Sequence, residues 1–198
     1  MSSRRQMPSR RWLGPTAVLI PVKAFNEAKL RLAPALGPDE RRQLARSMAT
    51  RVVASAAGMP VAVVCDDREV ADWARALGAL VIWAPGRGLN RAVQDGVGYL
   101  RRAGADLAVV AAGDLPLATD LRWVAEFSGI TLIPDRREEG TNVIALPTLS
   151  SFSFSYGPGS FSRHLAEAEA TGLPVRVARV PSLAWDVDVP GDLVGLKG

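Results

Sequence analysis

Five apolar runs of strand length, separated by segments of helical character, most constrain what this chain can fold into. The runs are Ala17–Pro21, Val61–Cys65, Leu80–Trp83, Leu107–Ala112 and Ile130–Ile133. Continuous rather than alternating apolar strands suit a parallel sheet covered on both faces. Between them the apolar residues recur at helical spacing: Leu44, Met48, Val52 and Val53, then Val70, Trp73, Ala74 and Leu77, then Val93, Val97 and Leu100. Pro38, Asp39 and Glu40 supply a helix start, while Gly58, Gly78 and Gly104 supply stops. Leu121, Val124 and Ala125 mark a shorter helix. Strands alternating with helices predict a doubly wound α/β domain with a mostly parallel central sheet and helices on both faces.

After residue 133 the pattern changes. Val143–Leu146 reads as a short strand, and Ser151–Tyr156 alternates serine with aromatics, a spacing that suits packing. Gly157–Ser160 is a turn, Phe161–Thr171 a helix and Val175–Val180 a strand. A chain of 198 residues with 48% hydrophobic residues can bury one full core. Residues 1–15 read as a basic tail, expected to be disordered, and 16–198 as a single domain.

Charge and cysteine content exclude several functions. The net charge of +4 is matched by Arg4, Arg5, Arg10 and Arg11 in the tail, so the rest is formally balanced and no nucleic-acid surface is expected. No apolar run approaches the roughly 18 residues that cross a bilayer, and no secretory leader is evident. Cys65 is the only cysteine, which points to the cytoplasm and, within an apolar strand, to the core. One Cys and one His do not make a zinc site. His164 has no GxSxG partner, and neither a P-loop nor a GxGxxG fingerprint is present.

Ligands of open α/β sheets bind beyond the carboxyl ends of the strands. There the sequence places Lys23, Lys29 and Arg31 after the first strand, Asp66 and Asp67 after the second, Gly86, Gly88 and Asn90 after the third, and Asp114 after the fourth. Cations, glycines and an acid on one rim suit a nucleoside triphosphate with magnesium. Asp186 and Asp188 are two apart, so in an extended segment both carboxylates share a face, and that repulsion favours a cation between them. Each feature also has a plainer reading: Asp114 as a turn or cap residue, the aspartate pair as an exposed strand edge, the basic loop as solvated surface. Gly157-Pro158-Gly159 makes a tight turn, and Ser160 opens a helix whose N–H groups attract anions or which it simply caps.

The ordered set Ile20-Pro21-Val22-Lys23, Ala28-Lys29-Leu30-Arg31-Leu32, Gly88-Leu89-Asn90, Gly113-Asp114-Leu115-Pro116, Pro134-Asp135, Gly140-Thr141-Asn142, Gly157-Pro158-Gly159-Ser160-Phe161, His164 and Asp186-Val187-Asp188 resembles the CofC/FbiD family. Its members are guanylyltransferases that make the phospholactyl or phosphoenolpyruvyl donor for coenzyme F-420. The resemblance implies a Rossmann-like, GT-A-like nucleotidyltransferase fold and transfer of GMP from GTP to a small phosphorylated acid. Phosphoenolpyruvate is favoured, with 2-phospho-L-lactate and 3-phosphoglycerate as the other acids.

The resemblance implies magnesium on Asp114, Asp186 and Asp188, and GTP on Lys23, Lys29, Arg31, Gly88 and Asn90. Asp114, Lys23 and Lys29 would serve catalysis, and Thr141, Gly157 and Ser160 would hold the acid. Leu30 departs from the small polar residue expected there, and Arg136–Glu139 reads as a mobile flap near the acceptor. Alternatives are a molybdenum cofactor guanylyltransferase-like enzyme, a cytidylyltransferase or a non-catalytic nucleotide-binding protein. The product would pass to the next F-420 enzyme, with a homodimer left open.

Overall fold

The computed structural model describes residues 14–196; Arg4, Arg5, Arg10 and Arg11 of the expected tail lie outside the described residues. A seven-stranded sheet runs in the order β3-β2-β1-β4-β6-β5-β7. Its strands are β1 (Thr16–Pro21), β2 (Val61–Cys65), β3 (Leu80–Trp83), β4 (Leu107–Ala111), β5 (Ile130–Pro134), β6 (Thr141–Pro147) and β7 (Val175–Val177). The first four pair in parallel, β6 runs antiparallel to both β4 and β5, and β7 is parallel to β5. The helices are α1 (Pro38–Ser55), α2 (Arg68–Ala76), α3 (Gly88–Arg102), α4 (Ser160–Ala170) and α5 (Pro181–Ala184).

The two faces follow from the period-2 geometry of the strands. Ala17 and Leu19 of β1 pack with Val93, Val97 and Leu100 of α3 and with Phe161 and Ala168 of α4. Val18 and Ile20 point the other way, against Val52 of α1. Further out on that face, Val63 and Cys65 meet Ala45 and Ala49 of α1 and Val70 and Trp73 of α2. Every internal position of β1 is therefore buried, which explains its unbroken apolar character. Helix α3 approaches β1 closely enough that a Cβ on Gly96 would stand 2.7 Å from Leu19 Cδ2.

Several boundaries differ from the sequence expectation. Helix α3 begins at Gly88, so Gly88 and Asn90 form its first turn rather than a loop. The segment around Leu121–Ala125 is a 3-10 turn, Arg122–Glu126. The last strand stops at Val177. Asp67 caps α2, its Oδ1 accepting the Val70 N–H at 3.0 Å, so it belongs to the scaffold. Among the described residues no helix is long and apolar enough to cross a membrane.

Residues 151–156 form no strand, and their backbone is held by helix side chains instead. The N–H groups of Phe154 and Tyr156 are accepted by Gln94 and Asn90 of α3, at 3.3 and 2.6 Å. Those of Ser153 and Ser155 are accepted by Glu167 and His164 of α4, at 3.0 and 2.9 Å. Alternate residues thus turn to opposite helices, as the serine–aromatic alternation requires, while Phe152 and Phe154 are buried.

Candidate active site

The carboxyl ends of β1 and β4 lie side by side, and the site starts there. Gly113, just past β4, passes close to the end of β1: a Cβ on it would meet the Pro21 carbonyl oxygen at 3.2 Å. That approach brings Asp114 beside the loop carrying Lys29. Lys29 has a left-handed backbone (φ 58°) before the 3-10 turn Leu30–Leu32, an uncommon conformation for a residue with a Cβ. Its Nζ donates to Asp114 Oδ2 at 2.6 Å and to Asp188 Oδ1 at 2.9 Å. The Lys29 side chain is 10% exposed, against 30% for Asp114 and 44% for Asp188. Burial would lower the ammonium's pKa, but the carboxylates of Asp114 and Asp188 outweigh it and leave the pKa raised.

Asp186 completes the acidic group from an irregular stretch after α5. It is buried, and its Oδ1 has no hydrogen-bond partner. Burial first, then the charge of Asp114 and of Asp188, pushes its pKa up to about 6. An orphaned carboxylate oxygen next to two further carboxylates suits a hard divalent cation such as magnesium. In the present side-chain arrangement no three His, Cys, Asp or Glu residues form a metal-holding group among the described residues, and Lys29 bridges Asp114 and Asp188. The segment 185–188 forms no sheet strand; Asp186 is buried and Asp188 lies on the ammonium.

Two aspartates without a role in the sequence reading shape this corner. Asp135, directly after β5, accepts the backbone N–H groups of Arg137, Glu139 and Gly140 at 2.9, 3.1 and 2.7 Å. Asp192 is 1% exposed; its Oδ2 accepts the N–H groups of Asp188 and Val189 at 2.7 and 2.9 Å, and its Oδ1 takes Arg136 and Arg137. Although burial acts to raise it, those N–H groups and Arg136 bring the Asp192 pKa down to about 2. Arg136–Glu139 is consequently a tied loop and not the expected mobile flap. Asp135 was open to the same rule that found Asp114, an acid right after a strand, whereas nothing periodic marks Asp192.

Across the crevice, α4 begins after a turn held by Arg163, whose guanidinium donates to the Pro158 and Ser155 carbonyls at 2.7 and 2.8 Å. Gly157 and Gly159 both have positive φ, 125° and 70°. The α4 N-terminus is less open than expected, because the Ser160 and Phe161 N–H groups bond the Gly157 and Glu139 carbonyls at 3.0 and 3.2 Å. The second of these bonds places Thr141, two residues after Glu139, beside the start of α4. Thr141 and Ser160 are both buried. Thr141, Gly157 and Ser160 therefore gather at one place.

Of the remaining expected residues, Lys23 and Arg31 are exposed and form no ion pair among the described residues. Leu30 is exposed beside them. Asn90 is at the rim, but its amide spans the Tyr156 backbone, accepting from N at 2.6 Å and donating to O at 3.4 Å. Its side chain thus has a structural task that the sequence did not disclose. Cys65 is buried, and burial raises its pKa, as a core thiol requires.

The family described as guanylyl transferase CofC-like matches residues 16–197. The chain is 38% identical over 192 residues to the phosphoenolpyruvate guanylyltransferase of Sphaerobacter thermophilus, covering 92% of this chain and 93% of that one. With the phosphoenolpyruvate guanylyltransferase of Rubrobacter xylanophilus it shares 37% identity, covering 90% and 92%. Among solved structures, a chain of the nucleotide-diphospho-sugar transferase type from Desulfovibrio desulfuricans G20 superposes with a TM-score of 0.75 at 15% identity, over 93% of this chain and 87% of that chain. A nucleotidyl transferase from Methanothermobacter does so with a TM-score of 0.63 at 19% identity, over 92% and 95%. These structural likenesses establish the fold.

Proposed function

The chain belongs to the CofC-like guanylyl transferase family, and from that premise we propose that it transfers GMP from GTP to the phosphate of phosphoenolpyruvate, releasing pyrophosphate. The observation that carries this reading is the Lys29 ammonium held between Asp114 and Asp188, with the unpartnered Asp186 beside them. A phosphate oxygen of the acid attacks the α-phosphorus of GTP. A new P–O bond forms, the α–β bridging bond breaks, and its electrons leave with pyrophosphate. The attacking phosphate is already largely ionised at neutral pH, so no general base is required.

The work of the protein is alignment and neutralisation. Lys29 and the exposed Lys23 and Arg31 neutralise the triphosphate, and the first turn of α3 at Gly88 borders the nucleoside. Thr141, Gly157 and Ser160 hold the acid. Asp114, Asp186 and Asp188 would hold magnesium, which when bound supplies charge stabilisation on the phosphate oxygens. We assign the activity to the cytoplasm and to the assembly of coenzyme F-420, the product passing to the next enzyme of that route.

The test is product mass spectrometry and pyrophosphate release with each nucleoside triphosphate against phosphoenolpyruvate, 2-phospholactate and 3-phosphoglycerate. Guanylylated phosphoenolpyruvate is the expected product. Turnover of CTP in place of GTP, or binding of GTP without turnover of any acid, would sink the reading.

A further inference from the structure

His164 is the chain's sole histidine and is fully buried in α4. Its two ring nitrogens meet different partners: Nε2 is 2.9 Å from the Ser155 backbone nitrogen, and Nδ1 is 2.9 Å from Thr141 Oγ1. A backbone N–H can only donate, so Nε2 must be the bare, accepting nitrogen. The ring proton therefore resides on Nδ1 and is donated to Thr141 Oγ1. With that lone pair engaged, the Thr141 hydroxyl hydrogen has to point away from the ring. No other described group accepts it.

The surroundings fix this arrangement. The Phe152 and Tyr156 rings stand 5.6 and 4.9 Å from the imidazole and restrict its rotation. A second ring proton would confront the Ser155 N–H. Burial, and then the Arg163 guanidinium, bring the His164 pKa down to about 4, so the neutral ring persists at physiological pH. Thr141 stands beside Ser160, where the α4 N-terminus meets the Glu139 carbonyl.

We infer that His164 is a positioning residue for the acceptor: by donating to Thr141 Oγ1 it aims the Thr141 hydroxyl proton at an anionic oxygen of the phosphorylated acid. This rests on the reading in which Thr141, Gly157 and Ser160 hold that acid. The hydroxyl of Thr141 would touch substrate, and His164 acts only through it.

Because there is one histidine, the ring nitrogens of the full-length, 15N-histidine-labelled protein give a single set of long-range 1H–15N signals. The neutral Nδ1–H tautomer is expected, with the Nδ1 signal moving as phosphoenolpyruvate saturates the protein. Two variants separate the two ends of the ring. His164→Asn keeps a donor near the Nδ1 position, and His164→Gln keeps an acceptor near the Nε2 position for Ser155. His164→Gln should raise KM for the acid about tenfold, the size of one lost hydrogen bond, with KM for GTP unchanged. His164→Asn should be milder. An Nε2–H tautomer, a ring signal indifferent to saturating acid, or equal damage by both variants would overturn the inference. Turnover by the wild type with an unmoved ring signal removes only the role of His164. Absence of turnover with any acid removes the functional reading and this inference together. If 2-phospholactate is the acid turned over, the same titration with it decides the role of His164.

Discussion

Around Lys29, the carboxylate least well served by the protein alone is Asp186, buried with one oxygen unpartnered and its pKa near 6. Because this lies above the ordinary aspartate value of 3.8, the folded state holds the proton more tightly than the unfolded chain. The contribution of Asp186 to stability is therefore complete below pH 3.8 and is lost as pH rises towards 6. Asp186→Asn should relieve this at neutral pH, raising stability by about 1–2 kcal/mol in urea melts without metal. The same change should lower turnover by about 100-fold or more. A residue kept only for packing would not show gain in one measurement and loss in the other. His164 has the opposite sign. Its pKa falls from 6.5 to about 4, so its contribution is complete above pH 6.5 and declines as pH drops towards 4. That decline should amount to about 2–3 kcal/mol in urea melts between those limits, and His164→Gln should remove this part of the profile.

At the scale of elements, the segment 152–156 joins the two halves of the site. Its backbone is gripped from one side by Asn90 and Gln94 of α3, which begins at the nucleotide rim, and from the other by His164 and Glu167 of α4, which begins at the acceptor turn. The double substitution Asn90→Ala with Gln94→Ala should cost about 1–2 kcal/mol in thermal or urea unfolding. It should weaken the acid more than GTP, since the Asn90 amide is committed to Tyr156. Steady-state KM values for each substrate check this, and a selective loss of GTP affinity would instead support the expected direct contact of Asn90 with the nucleotide. The sequence announced β1 to β5 because each is a buried apolar run closed by a turn or an acid. It also showed the serine–aromatic alternation, but not its partners. The α3 hydrogen bonds come from side chains 58 to 66 residues away and leave no local period, while Glu167 and His164 reach back 14 and 9 residues from the next helix. Lys29 and Asp114, by contrast, were legible from their place after apolar strands. The conformation of Asp186 and Asp188 was not, because the N–H of Asp188 is fixed by Asp192.

Across the whole molecule, Asp192 fastens the β5–β6 loop to the C-terminal stretch carrying Asp186 and Asp188. Asp192→Ala should cost about 1–3 kcal/mol, because it takes the partner from Arg136 and Arg137 and leaves the part-buried N–H groups of Asp188 and Val189 unpaired. Unfolding by urea and turnover of the surviving folded fraction would measure both effects; a variant as stable as the wild type would deny the tie. Lys29 has a different consequence, for the sequence of ligand arrival. A bare divalent ion approaching the crevice has to evict an ammonium that bonds both aspartates, already offsets one of their two charges and has nowhere better to go. A triphosphate carrying its own ion brings that ammonium a new home among its oxygens. Manganese followed by electron paramagnetic resonance should therefore bind the protein feebly by itself and tightly once GTP is added, whereas in Lys29→Ala the nucleotide should make much less difference.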